Sequence, residues 1–417
     1  MACAWIQDLI EADQEALQLF MHLLRDFQVG DIPIGGEKTV GFGWVQAQIS
    51  AIHWRTGANQ AMTKLLFGGS ASGAMVADGG WLHLSLEGEQ AQNAFQFAPA
   101  IGASKAPTKP PKSTIGFVSH RSFGGYCGTL NVEADVLSPL HVRESGEPSY
   151  RATLAGATVN GWDAFSMAPP DAALRPDPRI YALPSRSLKG MLRHLYAIAS
   201  DSRTKSSDLA NLNPEDSLFG WVGSGANQAL MGRLAVGMAM FDPAPTLAWY
   251  RVPFPYSGWG FANGEWRQRQ GAGVPQFQIA KQWRLFPHAP LAPLVQSSTE
   301  FQPDMVQASY LRAILPGNKA RFTIRFWNLE EVELQRLIWC VGLEPEMAHK
   351  LGHQRHLGFG ALRLSITPES YLTDWATRYS SSAQDAGQVP LDTARWQNQQ
   401  AIAHLAGLQQ ALNAHSI

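Results

Sequence analysis

Between residues 9 and 28, Leu9, Ala16, Leu17, Phe20, Leu23, Leu24 and Phe27 recur at near-helical spacing, which predicts one amphipathic helix ending before Gly30. A glycine-rich turn follows over 34–45, with Gly35, Gly36, Lys38, Gly41 and Gly43, and then Val45, Ala47 and Ile49 alternate as a strand. One helix and one strand bury too little to stand alone, so residues 1–55 require completion by later parts of the chain or by another chain. Residues 56–112 mix Gly, Ala, Ser and Pro around one strand candidate, Trp81 to Leu86. They end in a proline-rich stretch holding Lys105, Lys109 and Lys112, which reads as an extended basic linker with a domain boundary near 113.

The next segment is richer in pattern. Residues 128–137 alternate with period two and break at Ser138 and Pro139, predicting a strand. A Pro- and Asp-rich loop is expected over 143–183. From Ser185 to Ser200, Leu188, Met191, Leu192, Leu195 and Ile198 mark a helix with a serine N-cap. Strands are predicted at 232–240, 320–327 and 360–366, and a second helix at 329–343. The succession strand, helix, strand, long insert, strand, helix, glycine loop, strand matches a βαββαβ ferredoxin-like unit, which puts the chain in the α+β class. Residues 371–417 add a polar linker and a last helix with Ile402, Leu405, Leu408 and Leu412 on one side; no repeat of 20 to 50 residues is present.

Composition narrows the chemistry. With 45% hydrophobic and 16% charged residues the chain is an ordinary globular one. Lys and Arg total 33 against 34 Asp and Glu, so no whole-molecule field favours an anionic partner and any anion site must be local. Arg outnumbers Lys 23 to 10, which suits planar contacts to phosphates and bases but equally suits buried ion pairs. Cys3, Cys127 and Cys340 are far apart, which excludes a disulfide framework or a Cys-rich zinc finger and fits a reducing compartment. Without a leader-like start or a run of 18 apolar residues, the expectation is a cytoplasmic protein with no membrane partner.

Two segments carry candidate chemistry. From Leu183 to Arg193, a proline and two hydroxyls open a helix whose free N–H groups favour an anion, with Arg186, Lys189 and Arg193 within two turns. A plain capped helix with solvated cations would read the same way. From Lys350 to Arg363 there is no acidic residue, and Gly352, Gly358 and Gly360 could expose backbone N–H groups as an anion nest beside His353 and Arg355. A tight helix-to-strand turn is the competing reading. His353 and His356 lack a nearby acidic or Cys partner, so no metal site is assigned. The loop at 35–43 nearly repeats the one at 352–360.

These motifs resemble the RAMP superfamily, the repeat-associated subunits of CRISPR effector complexes. The resemblance rests on residues 184–193, Leu218-Phe219-Gly220 followed by Gly232-Arg233-Leu234, and the loop at 352–360. More narrowly, 126–139, 284–288, 322–334 and 349–352 resemble the guide-backbone subunits and multi-RAMP fusions of type III systems. About 113–370 is covered, and the loop at 34–45 is similar to the end of a second RAMP unit whose opening half is absent. The resemblance implies a ferredoxin-like, RRM-related RAMP domain, with an inserted segment at about 244–283 and a partial second unit at the N-terminus. Its partners would be guide (CRISPR) RNA, single-stranded target RNA and other RAMP subunits, including a separate chain that completes residues 1–55.

By matching positions, Ser185, Arg186, Ser187, Lys189 and Arg193 would contact guide phosphates. Gly352, His353, Arg355, Gly358 and Gly360 would form the other wall, with Gly36, Lys38 and Gly41 in the N-terminal unit. Aromatics between Trp249 and Trp266 would offer stacking faces, or alternatively fill a satellite core. Family members that cut target RNA use a loop Asp with metal; here Asp163 lies closest to that position, with Asp171 and Asp177 beyond it. The implied alternative is therefore an endoribonuclease using Mg2+ or Mn2+ at Asp163, and otherwise no tightly bound cofactor. A guide-processing nuclease with His120 or His141 as base, and a β-rich small-molecule or sugar binder with an aromatic cleft at 249–266, are the further readings.

Overall fold

The computed structural model describes residues 22–34, 43–45 and 47, the strands Ala51–Trp54, Met75–Asp78 and Trp81–Ser85, and 118, 120 and 124–417 except 145, 168–178, 204, 226–227, 254–258, 263, 269–275 and 381–384. The chain is α+β. It divides into two compact units, one made of 1–38, 42–110 and 372–389, the other of 39–41, 111–371 and 390–417. Among the described residues no helix is long and apolar enough to cross a membrane.

In the smaller unit, Trp81–Ser85 lies between Ala51–Trp54 and Met75–Asp78 in an antiparallel sheet. A helix over 22–28 is the described part of the one expected over 9–28. Arg378, from the helix Trp375–Ser380, is buried and donates to Asp26 Oδ1 at 2.8 Å and Asp31 Oδ2 at 2.6 Å. Charged side chains this far from water persist only when paired.

The main sheet of the larger unit runs, neighbour to neighbour, His349–Lys350, Ala361–Ile366, Tyr126–Val136, Lys319–Leu329, Ala239–Phe241, Ile180–Leu183 and Ser166–Met167, all antiparallel. Leu234–Val236 also pairs with Lys319–Leu329. Period-two alternation sets its two faces. Leu130, Val132, Ala134 and Val136 are buried, as are Ala320, Phe322, Ile324 and Phe326 on the adjoining strand. On the other face Lys319 and Arg321 pair with Glu133. The helices Ser185–Ala199 and Glu331–Gly342 pack on each other and on this sheet through Leu188, Leu192, Leu334, Leu337 and Ile338, all buried.

Two expectations change. The stretch 143–183 is not simply a loop: Tyr150–Leu154 and Ala157–Trp162 form a hairpin turning at Ala155 (φ 48°) and Gly156 (φ 80°). Its outer strand alternates between exposed and half-buried residues, so it lacks the apolar signal by which strands are read. The hairpin joins a second sheet in the order Gln296–Ser298, Leu247–Pro253, Ala308–Ile314, Ala157–Trp162, Tyr150–Leu154, with Ala308–Ile314 and Ala157–Trp162 parallel. The serine N-cap is also replaced: the cap residue of the Ser185 helix is Pro184, extended and without a side-chain cap bond, and Ser185 falls inside the first turn. Proline's fixed φ suits a helix entrance without a capping hydroxyl.

Arg233 joins these pieces. It is 1% exposed, and its guanidinium donates to both carboxylate oxygens of Glu333, to Asn328 O at 2.6 Å and to Ser217 Oγ at 3.1 Å. Glu333 also closes a capping box with Glu330 at the start of the Glu331–Gly342 helix. Asn328 sits at a break in strand register with φ 56°, and its Oδ1 accepts the Gly124 N–H at 3.0 Å. Removing one partner of a buried ion pair strands the other in low dielectric. Arg233→Ala is expected to lower unfolding free energy by about 3–5 kcal/mol. Arg203→Ala, which breaks an exposed pair with Asp201, is expected to cost about 1 kcal/mol or less. Urea titration of both variants checks the contrast.

Candidate nucleic-acid interface

The helix opening is set by Pro184, whose carbonyl accepts the N–H groups of Ser187 at 3.0 Å and Leu188 at 3.1 Å. Ser185 is buried and its Oγ has no hydrogen-bond partner; Arg186 is exposed and Ser187 half-buried. Lys189 turns inward, is 7% exposed and donates to Leu234 O at 3.5 Å. Burial, reinforced by Arg193, pushes its ammonium down to about 8. Arg193 binds Asp216 Oδ1 at 2.7 Å and also Glu215. Of the three cations in this motif, Arg186 is the one standing exposed at the helix entrance.

The loop at 352–360 is built against protein backbone. Gly352 (φ 87°) and Gly358 (φ 96°) take left-handed conformations, and a Cβ on either would fall 2.4 Å from a carbonyl oxygen, of His141 and of Pro290 respectively. The His353 N–H donates to His141 O at 2.8 Å and the Gly360 N–H to Pro139 O at 2.9 Å. Gly358 and Gly360 are buried, Gly352 is half-buried, and His353 and Arg355 are exposed. Arg355 lies 5.1 Å from the Phe286 ring centroid, and the His356 ring is 6.2 Å from the same ring.

The Ser185 helix and the glycine loop meet through a shared segment. His194, on the Ser185 helix, hydrogen-bonds the Arg284 backbone, and the charge of Arg355 helps hold its imidazole below the usual range after burial. The segment from Arg284 through Phe286 to Ala292 thus runs between them, and the Ala292 N–H donates to Leu357 O at 3.0 Å. Arg143 lies 4.1 Å from the Trp162 ring centroid, a cation–π contact that spacing along the chain gives no means of finding. Gly36, Lys38 and Gly41 lie outside the described residues, as do Lys105, Lys109, Lys112, Asp171 and Asp177.

Asp163 is fully buried. Its Oδ1 accepts the Ala164 N–H at 2.8 Å; its Oδ2 accepts from Arg179, from Arg312 Nη1 at 3.4 Å and from the Tyr181 hydroxyl at 3.4 Å. These surroundings do not fit Mg2+ or Mn2+, because two guanidiniums already hold the oxygen a metal would need. Among the described residues no group of three or more His, Cys, Asp or Glu side chains converges on a metal position. His120 has both ring nitrogens engaged, Nδ1 accepting from Trp327 Nε1 at 2.9 Å and Nε2 donating to Met231 O at 3.0 Å. His141 bonds Arg312 O at 2.8 Å, and burial pushes it down to about 4.

The aromatic segment mostly fills cores. Trp249 packs with Val159, Ala308 and Tyr310, and Tyr250 with Val252, Leu311 and Phe359. Trp266 is half-buried against the second of these clusters. Stacking faces are therefore absent at Trp249 and Tyr250, because the second sheet needs their area for its own core. Phe254 and Tyr256 lie outside the described residues.

No family model matches the sequence, and no curated protein matches it. Among solved structures, a crystal structure of Thermofilum pendens Csc2 is similar at 11% sequence identity and a TM-score of 0.33, covering 72% of this chain and 88% of that one. A superposition that loose carries nothing about binding or assembly.

Asp163→Ala leaves Arg179 and Arg312 without their shared carboxylate and is expected to destabilise the larger unit by about 3–5 kcal/mol, read by chemical denaturation. A pH dependence follows from three buried histidines, which burial above all pushes down to about 4 in His141, about 3 in His288 and about 4 in His349. Unfolded histidines titrate near 6.5, so between that value and about 4 the unfolded chain binds more protons than the native one. Stability is expected to fall as pH drops below 6.5, by roughly 1.4 kcal/mol per pH unit for each histidine. Thermal midpoints measured from pH 7.5 to 4.5 check this.

Proposed function

We propose that this chain is a RAMP-superfamily subunit that grips the guide RNA of a type III CRISPR effector complex and leaves target recognition to base pairing. The strand order supports a ferredoxin-like core: taken in chain order, strands 126–136, 234–241, 319–329 and 361–366 lie side by side as fourth, first, third, second, with helices after the first and third. The observation that carries the reading is that the Ser185 helix, at His194 in its middle, and the glycine loop are linked through 284–292, with Arg186, His353 and Arg355 exposed.

Such a surface suits a ribose-phosphate strand. Cations and backbone donors recognise phosphates without reading bases, and Arg355 with Phe286 offers a planar edge against which a base could stack. Lys189 and Arg193 support the entrance from behind, by holding the helix to Leu234 and to Asp216. In this reading target single-stranded RNA pairs with the guide, other RAMP subunits continue along it, and a separate chain completes the N-terminal RAMP unit. Asp163 ties the strand before the Ser185 helix to Arg312, an anchoring role.

Binding of single-stranded guide-length RNA, titrated at several salt concentrations, tests the reading. Arg186→Ala and Arg355→Ala are each expected to weaken binding to unrelated sequences alike. Each should also lower the slope of log affinity against log salt by about 0.7. A chain that binds no RNA, or variants that leave affinity and slope unchanged, would reject it.

A further inference from the structure

We propose that Lys350, Arg355 and His356 form a binding site for a phosphate-class oxyanion beneath the glycine loop. Lys350 occupies the short strand His349–Lys350, is 7% exposed, and its Nζ has no hydrogen-bond partner. A buried ammonium without an acceptor carries a large desolvation cost. Among the described residues, every charged group that acts on this cluster is basic: Arg355 acts on Lys350, Lys350 and Arg355 act on His356, and Lys350 and His349 act on His288. His356 Nε2 likewise has no partner, and in one tautomer it is a second donor.

A fold does not ordinarily gather an unpartnered lysine, an arginine and an imidazole with no carboxylate among them, since each raises the cost of charging the others. Lys350 responds by giving up its proton readily: burial, reinforced by Arg355, pushes it down to about 7. A tetrahedral oxyanion would reverse this, accepting from Nζ, from the guanidinium and from the imidazole, and would return the lysine to its charged form. Exposed Arg355 marks the side facing solvent. The inference rests on the orphaned amine and its basic neighbours and stands whether or not the chain binds guide RNA.

Calorimetric titration of the full chain with inorganic phosphate, at constant ionic strength set by chloride, tests it. Saturable binding of one phosphate is expected, weakened roughly tenfold or more in Lys350→Met, the loss of one charge-assisted contact. His356→Ala, expected to weaken binding by a smaller factor, keeps the test open if Lys350→Met does not fold. Absence of saturable binding, or binding unchanged in the variants that fold, overturns the site.

Repeating the titration on protein saturated with single-stranded RNA separates the sources. Loss of the phosphate signal assigns the site to an RNA phosphodiester, and its persistence assigns it to a free anion. Phosphate binding without RNA binding would reject the guide-RNA reading alone, and RNA binding without phosphate binding would reject this site alone.

Discussion

The architecture of the larger unit hangs on one guanidinium. Arg233 reaches Glu333 with both terminal nitrogens, and through Asn328 and Ser217 it also ties a strand break and the short helix Pro214–Phe219. Glu333 in turn caps the helix that covers the sheet. A charge pair this deep gains little over an apolar substitute; what it does here is hold the strand break, the short helix and the covering helix to one guanidinium. Leu234–Val236 follows Arg233 directly, and its Leu234 carbonyl receives Lys189 from the Ser185 helix. The candidate interface is therefore positioned from the core outward.

A second chain of contacts reaches the glycine loop. Asp163 holds Arg312; the Arg312 carbonyl holds His141; the His141 carbonyl receives His353 and lies close enough to Gly352 to exclude a side chain there. Tyr181, another partner of Asp163, sits two residues before the end of the strand that feeds Pro184 and the helix. One carboxylate thus links the backbone supports of both candidate walls. Loops carry binding residues well when a rigid scaffold fixes them, and here polar contacts to main-chain atoms do the fixing.

Much of this was legible in the sequence because period-two and helical spacing report burial directly. Tyr126–Val136, Lys319–Leu329, Ala361–Ile366 and the two covering helices lie where alternation or apolar spacing indicates them, within a few residues. The hairpin at 150–162 escaped because its outer strand is polar, and the strand Ala308–Ile314 because its pattern is buried almost throughout. At the candidate site, sequence showed which segments are basic or glycine-rich but not which of their cations are buried. Arg186 and Arg355 are exposed, while Lys189 is buried and donates to a carbonyl 45 residues away and Arg193 pairs with a carboxylate 22 residues away. Lys350 opened a basic segment on paper, but its burial left no local signal, since burial of an amine depends on what folds over it.

Asn328 illustrates how narrow the tolerance at such a junction is. Its left-handed backbone, its side-chain oxygen toward Gly124, its N–H toward Cys127 Sγ and its carbonyl toward Arg233 use four features of one small residue simultaneously. Glycine would keep the conformation and lose the amide; aspartate would keep the acceptor and import a negative charge; a β-branched residue would forfeit the geometry. Codon drift at this position is therefore confined to a very short alphabet.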